Sequence, residues 1–62
     1  MISYYEYEDI PCQVTRKGHN ISAEGYFPGE GLRAMPSTPV LFHGIPLTKR
    51  EFQALVVAQR KK

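Results

Sequence analysis

A helix start signal near the end of the chain is the strongest constraint that this sequence places on its fold. Thr48 and Glu51 have the spacing of a capping box, in which each side chain accepts a hydrogen bond from the other residue's backbone N–H. Leu47 and Phe52 flank the box at the spacing of a hydrophobic staple. The sequence therefore predicts an amphipathic helix over about residues 48–60.

The predicted helix has one apolar face and one basic face. When its residues are placed at 100° intervals, the apolar face carries Phe52, Leu55, Val56 and Gln59. The opposite face carries mainly cations, with one aliphatic residue among them: Lys49, Arg50, Gln53, Val57, Arg60 and Lys61. Cations in the last turn also favour the negative end of the helix dipole, so part of the basic ending needs no partner to explain it.

Before this helix, the chain contains short runs that alternate between apolar and polar residues. Residues 10–16 and 20–27 each alternate in this way, which is typical of half-buried strands. The turn-forming residues 17–20 join the two runs and predict a hairpin over about residues 10–27. The tyrosine-rich segment 2–8 and the apolar run 40–43 are each predicted to form a further strand.

These elements define a single α+β domain. We expect an antiparallel sheet of three to four strands with the C-terminal helix packed on it. Residues 28–39 contain three prolines and two glycines and are predicted to form a loop. The predicted core comprises the inward-facing apolar residues Ile10, Cys12, Val14, Ile21, Ala23, Phe27, Val40, Phe42, Leu47, Phe52, Leu55 and Val56.

The size and composition of the chain exclude several classes of protein. Its 62 residues provide one small core, and an apolar fraction of 42% indicates a chain that folds. One cysteine forms no internal disulfide, and with two histidines it makes no cluster at metal-ligand spacing. No segment reaches the ~18 apolar residues of a membrane span or resembles a secretory signal. We therefore expect a cytoplasmic protein that does not contact membranes.

No set of residues in this sequence points to catalysis. Cys12 lies in the middle of a predicted strand on its apolar side, where a thiol packs as a small hydrophobic group. His19 and His43 fall in or beside predicted turns, without an orienting partner. Gly29 and Gly31 lack the spacing of a phosphate-binding loop. We expect a protein that is not an enzyme and that binds no cofactor or metal.

Interaction with another macromolecule is the class of function that remains. We expect a regulatory or interaction module that binds a partner protein through the basic helix face and the adjacent loop. The predicted partner-binding residues are Lys49, Arg50, Gln53, Val57, Arg60, Lys61, Arg33 and Met35. The alternative is a small nucleic-acid-binding accessory protein that uses the same face, although the pI of 8.9 is modest for that role. A homodimer through Val57 or the tyrosine-rich strand is also left open.

One local stretch, His43 to Leu55, resembles a known family. Its sequence HGIPLTKREFQAL is similar to the hairpin-to-helix junction in the winged-helix effector domains of two-component response regulators. The resemblance implies a glycine turn, a short strand and a capped helix. In that family this helix is not the one that enters the major groove, so the resemblance does not imply DNA reading here. A capping box with a hydrophobic staple is sufficient to produce the same pattern.

Overall fold

The computed structural model describes residues 1–60, which form five strands and two helices. In chain order the elements are β1 (Ile2–Tyr7), β2 (Ile10–Lys17), β3 (Asn20–Phe27), β4 (Gly31–Met35), α1 (Ser37–His43), β5 (Ile45–Leu47) and α2 (Lys49–Arg60). The α+β class is confirmed, and so is a C-terminal helix close to residues 48–60. The sequence predicts three to four strands and one helix, and the described residues correct both numbers.

All five strands belong to one antiparallel sheet, in the order β4-β3-β2-β1-β5. β2 and β3 pair from the turn between them as far as Cys12 and Gly25, which confirms the predicted hairpin over residues 10–27. The two-residue turn begins with Gly18 at φ 60°, as a type II′ hairpin turn requires. Three consecutive hairpins therefore build the first four strands from local turns.

The prediction of a loop over residues 28–39 is wrong, because this segment contains β4 and the first three residues of α1. Pro28 and Gly29 occupy the two central positions of a turn, and Gly29 has φ 82°. Proline at the first of these positions and glycine at the second satisfy a type II turn. The Glu30 N–H donates to the Phe27 carbonyl over 3.0 Å, and β4 then pairs with β3.

The predicted strand over residues 40–43 is also wrong, since these residues form the end of α1. A short continuous apolar run does not distinguish a strand from a buried helix. Pro39 lies in the first turn of α1, where a backbone N–H has no partner within the helix and proline is tolerated. The helix ends at His43, and the N–H of the following residue, Gly44, donates to the Val40 carbonyl over 2.9 Å.

The sheet has two sides because successive strand residues point in opposite directions. The side covered by α1, called the α1 side below, includes Tyr5, Cys12, Val14, Ala23, Gly25 and Met35. The side covered by α2, called the α2 side, includes Tyr4, Gln13, Glu24, Tyr26, Leu32 and Ala34. A separate helix covers each side, where the sequence predicts a single helix for the whole sheet.

The main core lies on the α1 side. Cys12 and Val40 are fully buried there beside Val14 and Ala23, and half-buried side chains from β1, β4 and α1 surround them. Gly25 is required for this packing, because a Cβ at this position would overlap the Met35 sulfur and lie 2.9 Å from Ile10 Cγ2.

The α2 side has a smaller anchor. Phe52 is 8% exposed, and its ring lies 4.7 Å from the ring of Tyr4, measured between centroids. The predicted capping box is confirmed: the Thr48 N–H donates to Glu51 Oε1 over 2.9 Å, and the Glu51 N–H donates to Thr48 Oγ1 over 3.1 Å. These contacts fix where α2 begins and how Phe52 meets the sheet.

Two members of the predicted core are exposed. Ile21 is 42% exposed because it pairs with Arg16 near the tip of the hairpin, where both residues reach solvent. Phe42 is 79% exposed. Residues 40 and 42 would share a side in a strand, but in α1 they lie about 200° apart, so the burial of Val40 turns Phe42 outwards. The half-buried members are Ile10, Phe27, Leu47, Leu55 and Val56.

Candidate binding surface

An open groove runs between α2 and the outer strands on the α2 side. It consists of two adjoining cavities of about 280 and 380 Å³ that share Phe52, Val56 and Arg60. The lining residues that define the groove are Tyr26, Leu32, Phe52, Gln53, Val56, Val57 and Arg60. Most of this lining is apolar or aromatic, as in the core of a protein interface.

The groove is open because α2 is not centred on the sheet. The helix packs mainly on β1, β2 and β5, which leaves the α2 side of β3 and β4 largely without a covering layer in the described part of the chain. Leu32 on β4 is 46% exposed and Val57 on α2 is 47% exposed. Two large aliphatic side chains therefore stay in contact with water on the two walls of the groove.

Arg60 is the one charged side chain that lines either cavity within residues 1–60. Its Nε donates to the Tyr26 hydroxyl over 3.2 Å, and its guanidinium carbon lies 5.9 Å from the centre of the Tyr26 ring. An arginine over an aromatic ring at an exposed site gains only ~0.5–1 kcal/mol. This contact orients the guanidinium over the groove, while the remaining N–H donors stay accessible to a ligand.

The far end of α2 is tied to the turn between β1 and β2. Gln59 Nε2 donates to the Asp9 carbonyl over 3.1 Å. Glu8 and Asp9 thus lie beside the C-terminal end of the helix. Their carboxylates reduce the attraction that this end of α2 would exert on a phosphate backbone.

The predicted partner-binding residues separate into two groups. Lys49, Arg50, Gln53, Val57 and Arg60 are all exposed on α2, and the last three line the groove. Lys61 lies outside the described residues. The first group therefore shares one helix surface, in agreement with the predicted helix faces.

Arg33 and Met35 are not brought to this surface. Both belong to the α1 side of β4, according to their pairing with Gly25 and Ala23. Arg33 forms an ion pair with Glu30, and the Met35 sulfur accepts a hydrogen bond from the Cys12 thiol over 3.7 Å. Met35 is thus a half-buried part of the main core.

Sequence reasoning missed Tyr26 as a groove residue and assigned Leu32 to the predicted loop over residues 28–39 rather than to a strand. The missed signal is the dipeptide Pro28–Gly29, which favours a reversal of the chain, followed by a period-two pattern in which Leu32 and Ala34 share a side. A second apolar feature was also missed, since Phe42 and Ile45 are both more than half exposed.

Two properties of the titratable side chains in the described residues bear on reactivity, namely their clustering and any shift in pKa. Within residues 1–60, no three His, Cys, Asp or Glu side chains lie close enough to hold a metal ion. Burial raises the pKa of the Cys12 thiol above its ordinary value of 9.0, and a backbone hydrogen bond with Tyr7 acts in the opposite direction. A thiol with a raised pKa is a poor nucleophile. Neither helix in this part of the chain is long and apolar enough to cross a membrane.

Comparison of the chain with protein-family models, with curated protein sequences and with solved structures gives no match in any of the three. The junction that resembles the winged-helix effector domains does form the short strand β5 and the capped helix α2, but Gly44 is extended and follows a helix, so the implied glycine turn between two strands is not formed at this position. The class that the fold defines is therefore a five-stranded antiparallel α+β domain, and the choice of function depends on the groove.

Proposed function

We propose that this protein is a non-enzymatic interaction module that binds a partner protein in the groove beside α2. The observation that carries this proposal is the joint exposure of Leu32 and Val57 on the two walls of one groove, with Arg60 at its rim. Tyrosine and arginine, the residue types of Tyr26 and Arg60 in the groove, are enriched in binding hot spots. A cytoplasmic location fits this role and is part of the proposal.

The partner contacts the exposed side of α2 as well as the groove. Gln53 and Val57 lie at the contact, while Lys49 and Arg50 near the start of the helix contribute at its margin. Marginal cations mainly increase the association rate and select against partners of like charge. Arg33 and Met35 take no part, because they lie on the other side of the sheet.

Photo-crosslinking in extract from the native host tests this proposal. A photoreactive phenylalanine analogue replaces Val57 in one sample and Ile21 in the other, because the two aliphatic residues have similar exposures of 47% and 42%. We expect a discrete protein adduct at position 57 that is absent at position 21. The adduct should diminish when Leu32→Ser is added, since that change removes the opposite wall of the groove.

The alternative, nucleic-acid binding, predicts a different outcome of the same experiment. Adducts at position 57 would then be shortened by nuclease and lost as salt is raised, because phosphate contacts release counterions. That result, or equal adducts at positions 57 and 21, would contradict a protein-binding groove.

A further inference from the structure

The two edges of the sheet differ in their capacity to pair with another strand. β4 forms one edge and β5 forms the other. An edge strand presents unpaired backbone N–H and C=O groups on its outer side, and an incoming extended segment can pair with them. Which groups point outwards follows from the register of the hairpins.

At the β4 edge, Leu32 and Ala34 direct their backbone groups away from the sheet. The two-residue turn makes Lys17 and Asn20 a hydrogen-bonded pair, and bonding then alternates along β3 between its two neighbours. This alternation assigns Gly25 and its partner Arg33 to the β3–β4 ladder. The outer edge of β4 therefore offers two N–H and two C=O groups, and the described residues place no strand against it.

At the β5 edge, the same alternation places the nitrogen of a proline on the outer side of the sheet. Tyr7 and Ile10 form the hydrogen-bonded pair that closes the two-residue turn between β1 and β2. Because bonding alternates along β1, the backbone of Tyr5 bonds to β2, and the backbones of Tyr4 and Glu6 bond to β5. The residue of β5 opposite Tyr5 is Pro46, and it is the one whose nitrogen points outwards. Proline has no N–H to donate, so this three-residue edge is closed to strand addition.

The open edge and the groove belong to the same surface. The residues with outward backbone groups, Leu32 and Ala34, are also the residues of β4 whose side chains lie on the α2 side. A strand added beside β4 would place alternate side chains over the groove next to Leu32. Apolar side chains fit there, and Arg60 provides the one charge of the lining within residues 1–60.

We propose that the partner segment is an extended peptide that adds to the free edge of β4, with apolar side chains in the groove and a carboxylate that binds Arg60. This inference rests on the proposed function and specifies how the partner binds. Backbone hydrogen bonds to Leu32 and Ala34 supply a sequence-independent part of the affinity, and the groove and Arg60 supply selectivity. The single cation of the groove within the described residues favours a peptide with a carboxylate at the position facing Arg60.

A display library of random peptides, about ten residues long to match the usual strand range, provides the probe. The full chain is the target, and an enriched peptide is then measured by fluorescence anisotropy and by amide hydrogen exchange. We expect enrichment of alternating apolar residues with Asp or Glu. The bound peptide should slow the exchange of the Leu32 and Ala34 amides, which are solvent-facing in the free protein.

Two pairs of variants test the backbone and the charge separately. Ala34→Pro removes an outward N–H without removing a bond to β3, and should weaken binding about tenfold, whereas Ala34→Val keeps that N–H and should weaken binding less than Ala34→Pro does. Arg60→Lys should retain the preference for acidic peptides, and Arg60→Glu should reverse it. Slow exchange of the Gly25 amide in each variant shows that the sheet is intact.

Several results would overturn strand addition. They are a library without enriched peptides, a bound peptide that leaves the Leu32 and Ala34 amides unprotected, and unchanged binding by folded Ala34→Pro. Protection of these amides that rises with protein concentration alone would assign the edge to a second copy instead. A protein crosslinked at position 57 while the β4 amides stay unprotected contradicts this inference only. The absence of any adduct at position 57 contradicts the proposed function.

Discussion

The α1 side of the sheet is closely packed, whereas the α2 side is packed only in part. On the α1 side, Cys12 and Val40 are inaccessible to water, and a glycine is needed at position 25 for Met35 to lie against the sheet. On the α2 side, Phe52 is the buried residue of α2, and the groove beyond it leaves Leu32 and Val57 exposed. The same five strands thus support one closed layer and one open layer.

This difference indicates how a small chain separates stability from binding. A domain of this size has little stability in excess, so most of its well-packed contacts have to serve folding. Strand alternation allows the closed side to do this, while on the other side α2 is held mainly by Phe52 and the half-buried Leu55 and Val56. Substitutions on the two sides should therefore differ in their effects on stability.

Truncation of the two phenylalanines that flank β5 should lower the stability strongly in one case and hardly at all in the other. Phe52→Ala removes the anchor of the α2 side and should lower the free energy of unfolding by ~3–5 kcal/mol, which is enough to unfold a domain of this size. Phe42→Ala removes a side chain that is 79% exposed and should change it by less than about 0.5 kcal/mol. Urea denaturation followed by circular dichroism measures both values. Equal losses would contradict the assignment of Phe42 to the outer surface of α1.

Larger side chains should lower the stability on the α1 side but not on the α2 side. Gly25→Ala places a Cβ against Met35 and Ile10 on the α1 side and should destabilise the fold by ~1–3 kcal/mol. Ala34→Val adds two carbons to an exposed position on the α2 side and should change the stability by less than about 0.5 kcal/mol. Thermal unfolding of the two variants provides the comparison. If Gly25→Ala is harmless, the α1 side is not closely packed.

The elements that the sequence predicts correctly are those with local signals. The hairpin over residues 10–27 has two alternating runs around a glycine turn, and α2 has its own capping box. The elements that it misses depend on their neighbours. β4 has five residues and a weak pattern of its own, so its assignment requires β3 to pair with. The apolar run at the end of α1 fits a strand or a helix equally well.

The sequence predicts only one wall of the groove, because the other wall depends on the pairing of β3 with β4. The helix faces follow from the 100° periodicity, so the exposure of Gln53, Val57 and Arg60 is predictable. The opposite wall of the groove is formed by Tyr26 and Leu32, which are paired across β3 and β4. Without β4 as a strand there is no register for residues 31–35, so the sequence does not assign Leu32 to the α2 side or to the α1 side.

A glycine at position 9 should stabilise the turn between β1 and β2, which contacts the end of α2. Glu8 and Asp9 both have positive φ, at 50° and 64°, which suits a type I′ hairpin turn but is unfavourable for residues with a Cβ. Asp9→Gly should raise the free energy of unfolding by ~1 kcal/mol and keep the carbonyl that accepts the Gln59 hydrogen bond. Gly18→Ala, at φ 60° in the next turn, should lower it by a similar amount. A loss of stability in Asp9→Gly on chemical denaturation would show that the carboxylate itself supports the turn.

The smallest effect is expected from the pH dependence of stability, and it tests whether the α1 side excludes water. Burial raises the pKa of the Cys12 thiol, so the unfolded chain loses this proton at a lower pH than the folded chain. The unfolded state then binds fewer protons, and the free energy of unfolding falls as pH rises from the ordinary pKa of 9.0 through the raised value. Cys12→Ala removes this contribution while retaining the tyrosines and lysines, so its denaturation midpoint should fall less steeply between about pH 7 and about pH 10 than that of the wild type. Parallel slopes for the two proteins would mean that the thiol titrates alike in both states, which is incompatible with a dry closed side.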